Sequence, residues 1–338
     1  MDYRRRAPGI LTGQTKRRAH MMKPKLNRLL TGVLLFLFLA VPAEATRQLI
    51  PVGRVVGLEL HNNTVTVAAL EENSPAAAAG VKPGDRLLSI DRRPITCTAD
   101  VRTALDRSHG TVTVTLQRCD TLQTLQIDPA ITENGPKLGL YLRQGITGIG
   151  TVTYYDPETC QFGALGHGVN TPDGQLLQLT EGLAYPAGIS RIRQGTPGEP
   201  GQLMGSLTGS APIGTIRRNT PQGIFGTADL PFPGTQLPLG TPTPGPAVIL
   251  STVQGDTPTQ YTVEILKVYS ENRHAGRNLL LQITDPTLLQ TTGGIVQGMS
   301  GSPIIQNGHL VGAVTHVLVN DPTRGYGIFI ENMLDAAA

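Results

Sequence analysis

From Val52 onward, apolar and polar residues alternate over short runs, the period-two signature of half-buried strands. Val52–Leu60 and Thr64–Leu70 are two such runs joined at Asn62-Asn63, a hairpin signal. Ser74-Pro75 then opens a short alanine helix, with Ser74 as N-cap and Pro75 at the first helical position, and Gly80 closes it. A strand follows at Arg86–Ile90. Thr98 caps a helix running to about Ser108 with Val101, Ala104 and Leu105 on its inner face, and Thr111–Arg118 and Leu122–Ile127 close the set as strands. Beyond residue 130 the strand-like runs are Gly148–Tyr155, Ala247–Ser251, Gln260–Val268 and Asn278–Thr284, broken by the Pro/Gly-rich pieces Gly195–Pro200 and Pro231–Pro246. Helical patterning there is confined to Asp285–Gln290 and the tail after Glu331. The pattern predicts a mainly β protein in two parts: a mixed α+β module over about residues 50–129, and an all-β barrel or sandwich over 130–338.

Composition agrees with this picture and adds a leader. The 338 residues include 40 Gly and 26 Pro but no Trp, which suits many turns between short strands. Residues 1–45 carry nine Lys or Arg against Asp2 and Glu44, leaving 19 basic and 23 acidic residues in the rest of the chain. The body is therefore slightly acidic and has no basic face suited to nucleic acid. The basic stretch runs into the 13-residue apolar segment Leu29–Val41 and then Ala43-Glu44-Ala45. Basic region, short apolar region and small-x-small site read as a secretory signal cut after Ala45, with an uncleaved membrane anchor as the alternative. Either way the body lies outside the cytoplasm. Cys97, Cys119 and Cys160 show no metal-ligand spacing and read as buried free thiols, a Cys97–Cys119 bridge being the alternative.

Three stretches carry candidate chemistry. In Phe162-Gly163-Ala164-Leu165-Gly166-His167-Gly168, glycines flank a histidine where backbone can bend and a substrate can approach. In Gly298-Met299-Ser300-Gly301-Ser302-Pro303, a tight turn presents Ser300, and the N–H groups of Gly298 and Ser300 can converge on one point. Serine is a weak nucleophile that needs a neighbouring base and donors for the developing oxyanion, which these two stretches supply together. Ser302 is the rival nucleophile. An α/β-hydrolase elbow is excluded because position 302 is serine, and His309 and His316 fall in the hairpin directly after the loop. A histidine 133 residues upstream of the serine fits the His-before-Ser order of a two-barrel peptidase. A carboxylate to orient the imidazole is offered by Asp285 in Thr284-Asp285-Pro286 or by Asp229 in Ala228-Asp229-Leu230, although Asp285-Pro286 also reads as a helix cap.

Ser74-Pro75-Ala76-Ala77-Ala78-Ala79-Gly80-Val81-Lys82-Pro83-Gly84-Asp85-Arg86 resembles the corresponding turn of bacterial PDZ domains. That resemblance implies that Val56, Gly57 and Leu58 face a peptide carboxylate, and that the peptide adds as a strand beside Leu58–Leu60 against the helix at 98–108. The Ser300 loop resembles the G-x-S-G-x-P loop of chymotrypsin-like serine peptidases, with Ser302 in place of the usual glycine. Longer stretches are more specific. Residues 294–308, Gly312–Val317 and Val319–Ile328, together with Gly148–Tyr155, Phe162–His167 and the PDZ-like segment, resemble the stage IV sporulation protein B (SpoIVB) peptidases over roughly residues 50–336. This implies an N-terminal PDZ-like module followed by a chymotrypsin-like double β-barrel, with Ser300 as nucleophile, His167 as base and Asp285 as the implicated aspartate. It calls for no cofactor and no metal. The Gly168–Asp173 run after the histidine departs from the more acidic loop expected of the family.

The resemblance further implies an exported endopeptidase of sporulation that acts between the forespore and mother-cell membranes. There it cleaves itself near the N-terminus, between Ala45 and about Val52, and cuts a membrane-bound regulator. That cut releases an intramembrane metalloprotease that activates the late mother-cell sigma factor. Two other classes remain open on the residues alone: a catalytically silent PDZ signalling protein, and a quality-control protease of the HtrA kind.

Overall fold

The computed structural model describes residues 47–269 and 277–338. The leader and its signal or anchor reading lie outside the described residues. Among the described residues, no helix is long and apolar enough to cross a membrane.

The chain opens with β1 (Gln48–Pro51) and turns into one long strand, β2 (Val55–Leu70). A one-turn helix α1 (Pro75–Ala78) follows, capped by the Ser74 hydroxyl, which accepts from Ala77 N–H. Next come β3 (Arg86–Ile90), helix α2 (Thr98–Asp106), β4 (Val112–Arg118) and β5 (Thr121–Ile127). Cys97, not Thr98, is the N-cap of α2, and the Asp100 carboxylate accepts from Thr96 and Cys97 N–H. A second long strand, β6 (Leu140–Asp156), returns beside β2, and β7 (Gln161–Ala164) leads to His167. β8 (Glu181–Arg193), β9 (Gly214–Thr220) and β10 (Gly223–Ala228) complete the first half. The second half holds β11 (Gly245–Ser251), β12 (Thr259–Val268), β13 (Leu279–Ile283), helix α3 (Pro286–Thr292), β14 (Pro303–Gln306), β15 (His309–Leu318), β16 (Asp321–Phe329) and helix α4 (Ile330–Ala337).

Pairing closes two barrels. In the second, β11, β12, β13, β16, β15 and β14 form a closed ring. In the first, β2 pairs with β6, then β6 with β7, β7 with β10, β10 with β9, β9 with β8, and β8 returns to β2. Each barrel encloses a core of the inward members of its alternating strands, joined in the second by Leu288 of α3. Val56, Leu60, Val152, Phe162 and Ile224 fill the first, and Ile249, Ile265, Leu281, Leu288 and Ile304 fill the second. The PDZ module has its own core of Val65, Val67, Leu87, Ile90, Val114 and Leu116 under α2.

Two boundaries differ from the sequence reading. Asn62-Asn63 is not a hairpin; β2 runs straight through it, because β6 lies alongside both halves, pairing at Leu58↔Gly148 and again at Val67↔Leu142. The mismatch between the halves is absorbed as a bulge opposite Gly145, whose φ of +74° and approach to the Leu60 carbonyl leave no space for a Cβ. The chain therefore does not change module at 129/130. Residues 55–60 are a wall of the first barrel, and the PDZ module grows out of that barrel between β2 and β6, sharing both strands.

The three cysteines are free, as expected, but Cys119 and Cys160 are exposed and Cys97 is half-buried. Part of the stretch in which self-processing is expected is held in the fold. Leu49 and Ile50 are buried within β1, which pairs with β6, and Arg47 is ion-paired with the buried Asp156.

Candidate active site

His167 is delivered by a sharp turn at the end of β7. Leu165 and Gly166 both have φ of +69°, and Leu165 N–H donates to Thr151 O. That turn brings the first barrel against the second: a Cβ on Gly166 would lie 2.9 Å from the Thr315 methyl in β15.

Ser300 comes from the other side. Helix α3 ends at Gly293, in the left-handed region at φ +76°, and the loop beyond it is held at nearly every peptide. Ile295 N–H donates to Pro322 O, Gln297 N–H to Gly201 O, Met299 N–H to Val296 O, Gly301 N–H to Val314 O and Ser302 N–H to Met299 O. Thr151, fully buried in β6, donates its hydroxyl to Gly298 O at 2.8 Å. Among the described residues, the Gly298 and Ser300 N–H groups donate to nothing. Buried or half-buried backbone donors rarely go unused; in this loop Val296 N–H is also without a partner, but of the three residues only Gly298 and Ser300 line the cavity shared with His167.

Both side chains line one cavity of about 340 Å³, together with Gly148, Ile149, Gly168, Gln297 and Gly298. The Ser300 hydroxyl donates to Thr315 O at 2.7 Å, and no hydrogen bond joins it to His167. His167 Nδ1 lies 2.9 Å from Gly168 O. A carbonyl only accepts, so Nδ1 carries the proton and Nε2 is left with a lone pair, the tautomer a general base needs. Burial pushes the His167 pKa down, and the bond to Gly168 opposes this only in part.

No carboxylate reaches His167 among the described residues. Asp285 is the N-cap of α3, accepting from Leu288 N–H at 3.0 Å and Thr262 N–H at 3.3 Å. The helix and β12 occupy its oxygens, so it does not orient the imidazole. Asp229 is exposed and does not do so either. Ser302 is fully buried, bonded to Ser251 at 3.0 Å, and away from the cavity.

His316 is the residue that spacing reasoning set aside. It sits in the hairpin after the serine, yet its ring centroid is 5.5 Å from that of His167. Its buried Nδ1 has no partner, and burial with the neighbouring His167 and Arg277 pushes its pKa down to about 4. No local pattern signals this: β15 turns Thr315 inward, and the bulge between Val314 and His316 re-aims the next side chain.

Val56, Gly57 and Leu58 do not form a carboxylate-binding loop. They lie mid-strand in β2, paired on one side with Gly150, Ile149 and Gly148 and on the other with Pro186, Tyr185 and Ala184. Neither edge is open to a peptide. The strand beside α2 is instead Leu140–Gln144 of β6, whose Gln144 side chain accepts from Thr98 N–H.

Residues 134–334 match the family model described as SpoIVB peptidase S55, and residues 66–118 match that of the PDZ domain. The chain belongs to the SpoIVB peptidase S55 family. It carries a PDZ domain. Curated relatives include a putative zinc metalloprotease, Atu1380, of Agrobacterium fabrum, 44% identical over 86 residues, which is 25% of this chain and 23% of that protein. Another, R01501 of Rhizobium meliloti, is 42% identical over the same length and shares. The chain thus spans about a quarter of the length of these relatives. Among the described residues, no group of three or more His, Cys, Asp or Glu could hold a metal ion. Solved structures of the Rv3671c protease of M. tuberculosis are similar at 15% and 14% identity with a TM-score of 0.34, covering 57% of this chain and 85% and 82% of those.

Proposed function

We propose that Ser300 is the nucleophile, His167 the general base, and the Gly298 and Ser300 N–H groups the oxyanion hole. The observation that carries this is the pair of uncommitted N–H groups beside a hydroxyl and a correctly tautomerised imidazole in one cavity. A rotation about χ1 takes the Ser300 hydroxyl from Thr315 O toward His167 Nε2. Its oxygen attacks the peptide carbonyl carbon while Nε2 takes the proton. The oxyanion is held by the two N–H groups, and collapse expels the amine, which receives that proton from the imidazolium. Water then repeats the sequence on the ester. The carbonyl of Gly168 holds the ring where other serine peptidases use a carboxylate. A fluorophosphonate probe should label the wild type and Ser302→Ala but not Ser300→Ala, and His167→Ala should cut labelling by several orders of magnitude. Labelling that survives in Ser300→Ala overturns the assignment.

The finer reading is an exported sporulation endopeptidase. It cuts itself and a membrane-bound regulator between the two membranes, releasing an intramembrane metalloprotease that activates the late mother-cell sigma factor. Family membership and the basic-then-apolar leader support it. The self-cut falls ahead of Gln48, since β1 is closed to a protease. Partner selection by the PDZ domain uses the unpaired edge of Leu140–Arg143 beside α2, with Gly139 at φ +74° leading into it. N-terminal sequencing of the processed chain, and loss of processing in Ser300→Ala, test this reading. A first cut within residues 48–52 speaks against it.

A further inference from the structure

A cleft of about 830 Å³ lies beside the catalytic cavity and shares Ile146 and Asn170 with it. Its floor is the face of the PDZ sheet turned away from α2, and its wall is the loop that follows His167. That wall is the stretch that departs from the acidic run expected of the family.

Across the floor, register places three residues in one lateral row. Thr66 of β2 is opposite Arg143 of β6 and opposite Arg86 of β3. Directly opposed residues share a face, so both arginines point into the cleft, about 10 Å apart at two strand spacings. Both are exposed, and neither guanidinium is hydrogen-bonded or ion-paired among the described residues. Elsewhere in the PDZ domain, Arg118 is bonded to Asp85 and Arg102 is paired with Asp106. The only carboxylate lining the cleft, Asp173, already accepts from the Thr171 hydroxyl. Two unpaired cations therefore stand together in a body that carries 19 basic and 23 acidic residues beyond position 45.

We propose that this cleft is a substrate-binding exosite for an acidic segment of the polypeptide being cut, read by Arg86 and Arg143. It rests on the peptidase reading above. The occupant is not the chain's own leader, whose nine basic residues would be repelled. Along β6, Arg143 is five residues from Gly148 of the catalytic cavity, about 17 Å at about 3.3 Å per residue. An extended substrate would thus carry its acidic residues about five positions from the scissile bond.

The test uses the full chain carrying Ser300→Ala, with a fluorescein-labelled peptide rich in Asp and Glu and its isosteric Asn/Gln counterpart as probes. At physiological ionic strength, anisotropy should show the acidic peptide binding about tenfold more tightly, a difference two exposed ion pairs can supply. Added to that chain, Arg86→Gln with Arg143→Gln should erase the difference without changing the melting temperature. Equal binding of the two peptides, a preference that persists in the double arginine variant, or tighter binding of a single-stranded oligonucleotide each overturns the exosite. Fluorophosphonate labelling separates the two readings. Failure of the wild type to label would sink the peptidase assignment while leaving the charge-dependent binding readable.

Discussion

At the scale of single residues, His167 and His316 are where burial has a chemical consequence. Because burial lowers its pKa, His167 keeps Nε2 free at pH values where an exposed imidazole would be protonated. The acid limb of a kcat/KM profile should therefore lie below about 6.5, the ordinary histidine value; a limb above that would contradict the buried, Gly168-bonded ring. The stability consequence has a definite sign. His316 takes up its proton only near pH 4 in the folded chain, whereas the unfolded chain takes it up at the ordinary value. The unfolded state binds more protons over that window, so the fold loses stability as pH falls from about 6.5 toward 4. His316→Gln should flatten that slope in urea titrations at a series of pH values. Asp285 separates a cap from an orienter. Asn caps a helix about as well as Asp but loses the oxygen that accepts from Thr262 N–H, so Asp285→Asn should keep activity while losing at most about 1 kcal/mol of stability, and Asp285→Ala should cost about 1 kcal/mol or more. A large loss of activity in the Asn variant would restore a catalytic role. His167 and Ser300 could be read from sequence because glycines mark backbone that must bend close to a partner. His316 could not, because its placement depends on a bulge that no local pattern announces.

Among the elements, the serine loop shows how position is enforced by its surroundings. Thr151 belongs to the first barrel, yet its hydroxyl holds the Gly298 carbonyl of the second. Thr151→Val keeps the shape and removes the donor, leaving a carbonyl without its partner at a cost of about 1–3 kcal/mol. Because Gly298 carries one of the two N–H groups proposed as the oxyanion hole, kcat should fall about tenfold or more with KM little changed. An unchanged kcat would mean that the loop is positioned without it. Gly301 is the stricter case. At φ +97°, a Cβ would lie 2.2 Å from Thr151 O and 2.6 Å from Leu165 N, both backbone atoms that cannot move aside. Strand periods and most caps were legible at this scale: Ser74, Arg86–Ile90 and the helix after Asp285 all form where the residues indicate. The Asn62-Asn63 hairpin was misread, because a two-residue turn signal is overridden when a partner strand from 80 residues away pairs on both sides of it.

For the whole molecule, the consequential feature is that β2 and β6 belong to two modules at once. Val55–Leu60 and Ile146–Asp156 build the first barrel, while Val65–Leu70 and Leu140–Gln144 build the PDZ sheet. A PDZ domain joined by a linker would unfold independently, with its amides exchanging at its own free energy. Here the PDZ sheet cannot melt without releasing two strands of the barrel that positions Thr151 and His167, and neither can the barrel close without them. The two modules should therefore unfold as one unit. Native-state hydrogen exchange should give the buried PDZ residues Val65 and Val67 and the barrel residues Val56 and Leu60 the same opening free energy and the same denaturant slope. A lower free energy and a shallower slope confined to Val65 and Val67 would show that the bulge opposite Gly145 uncouples the halves. The same continuity gives peptide binding at the β6 edge a physical route to the cavity, because the strand that would receive a ligand at Leu140–Arg143 lines the Ser300 site at Gly148 and Ile149. Sequence periodicity cannot show such sharing, since each half of either strand reads as an ordinary amphipathic strand by itself.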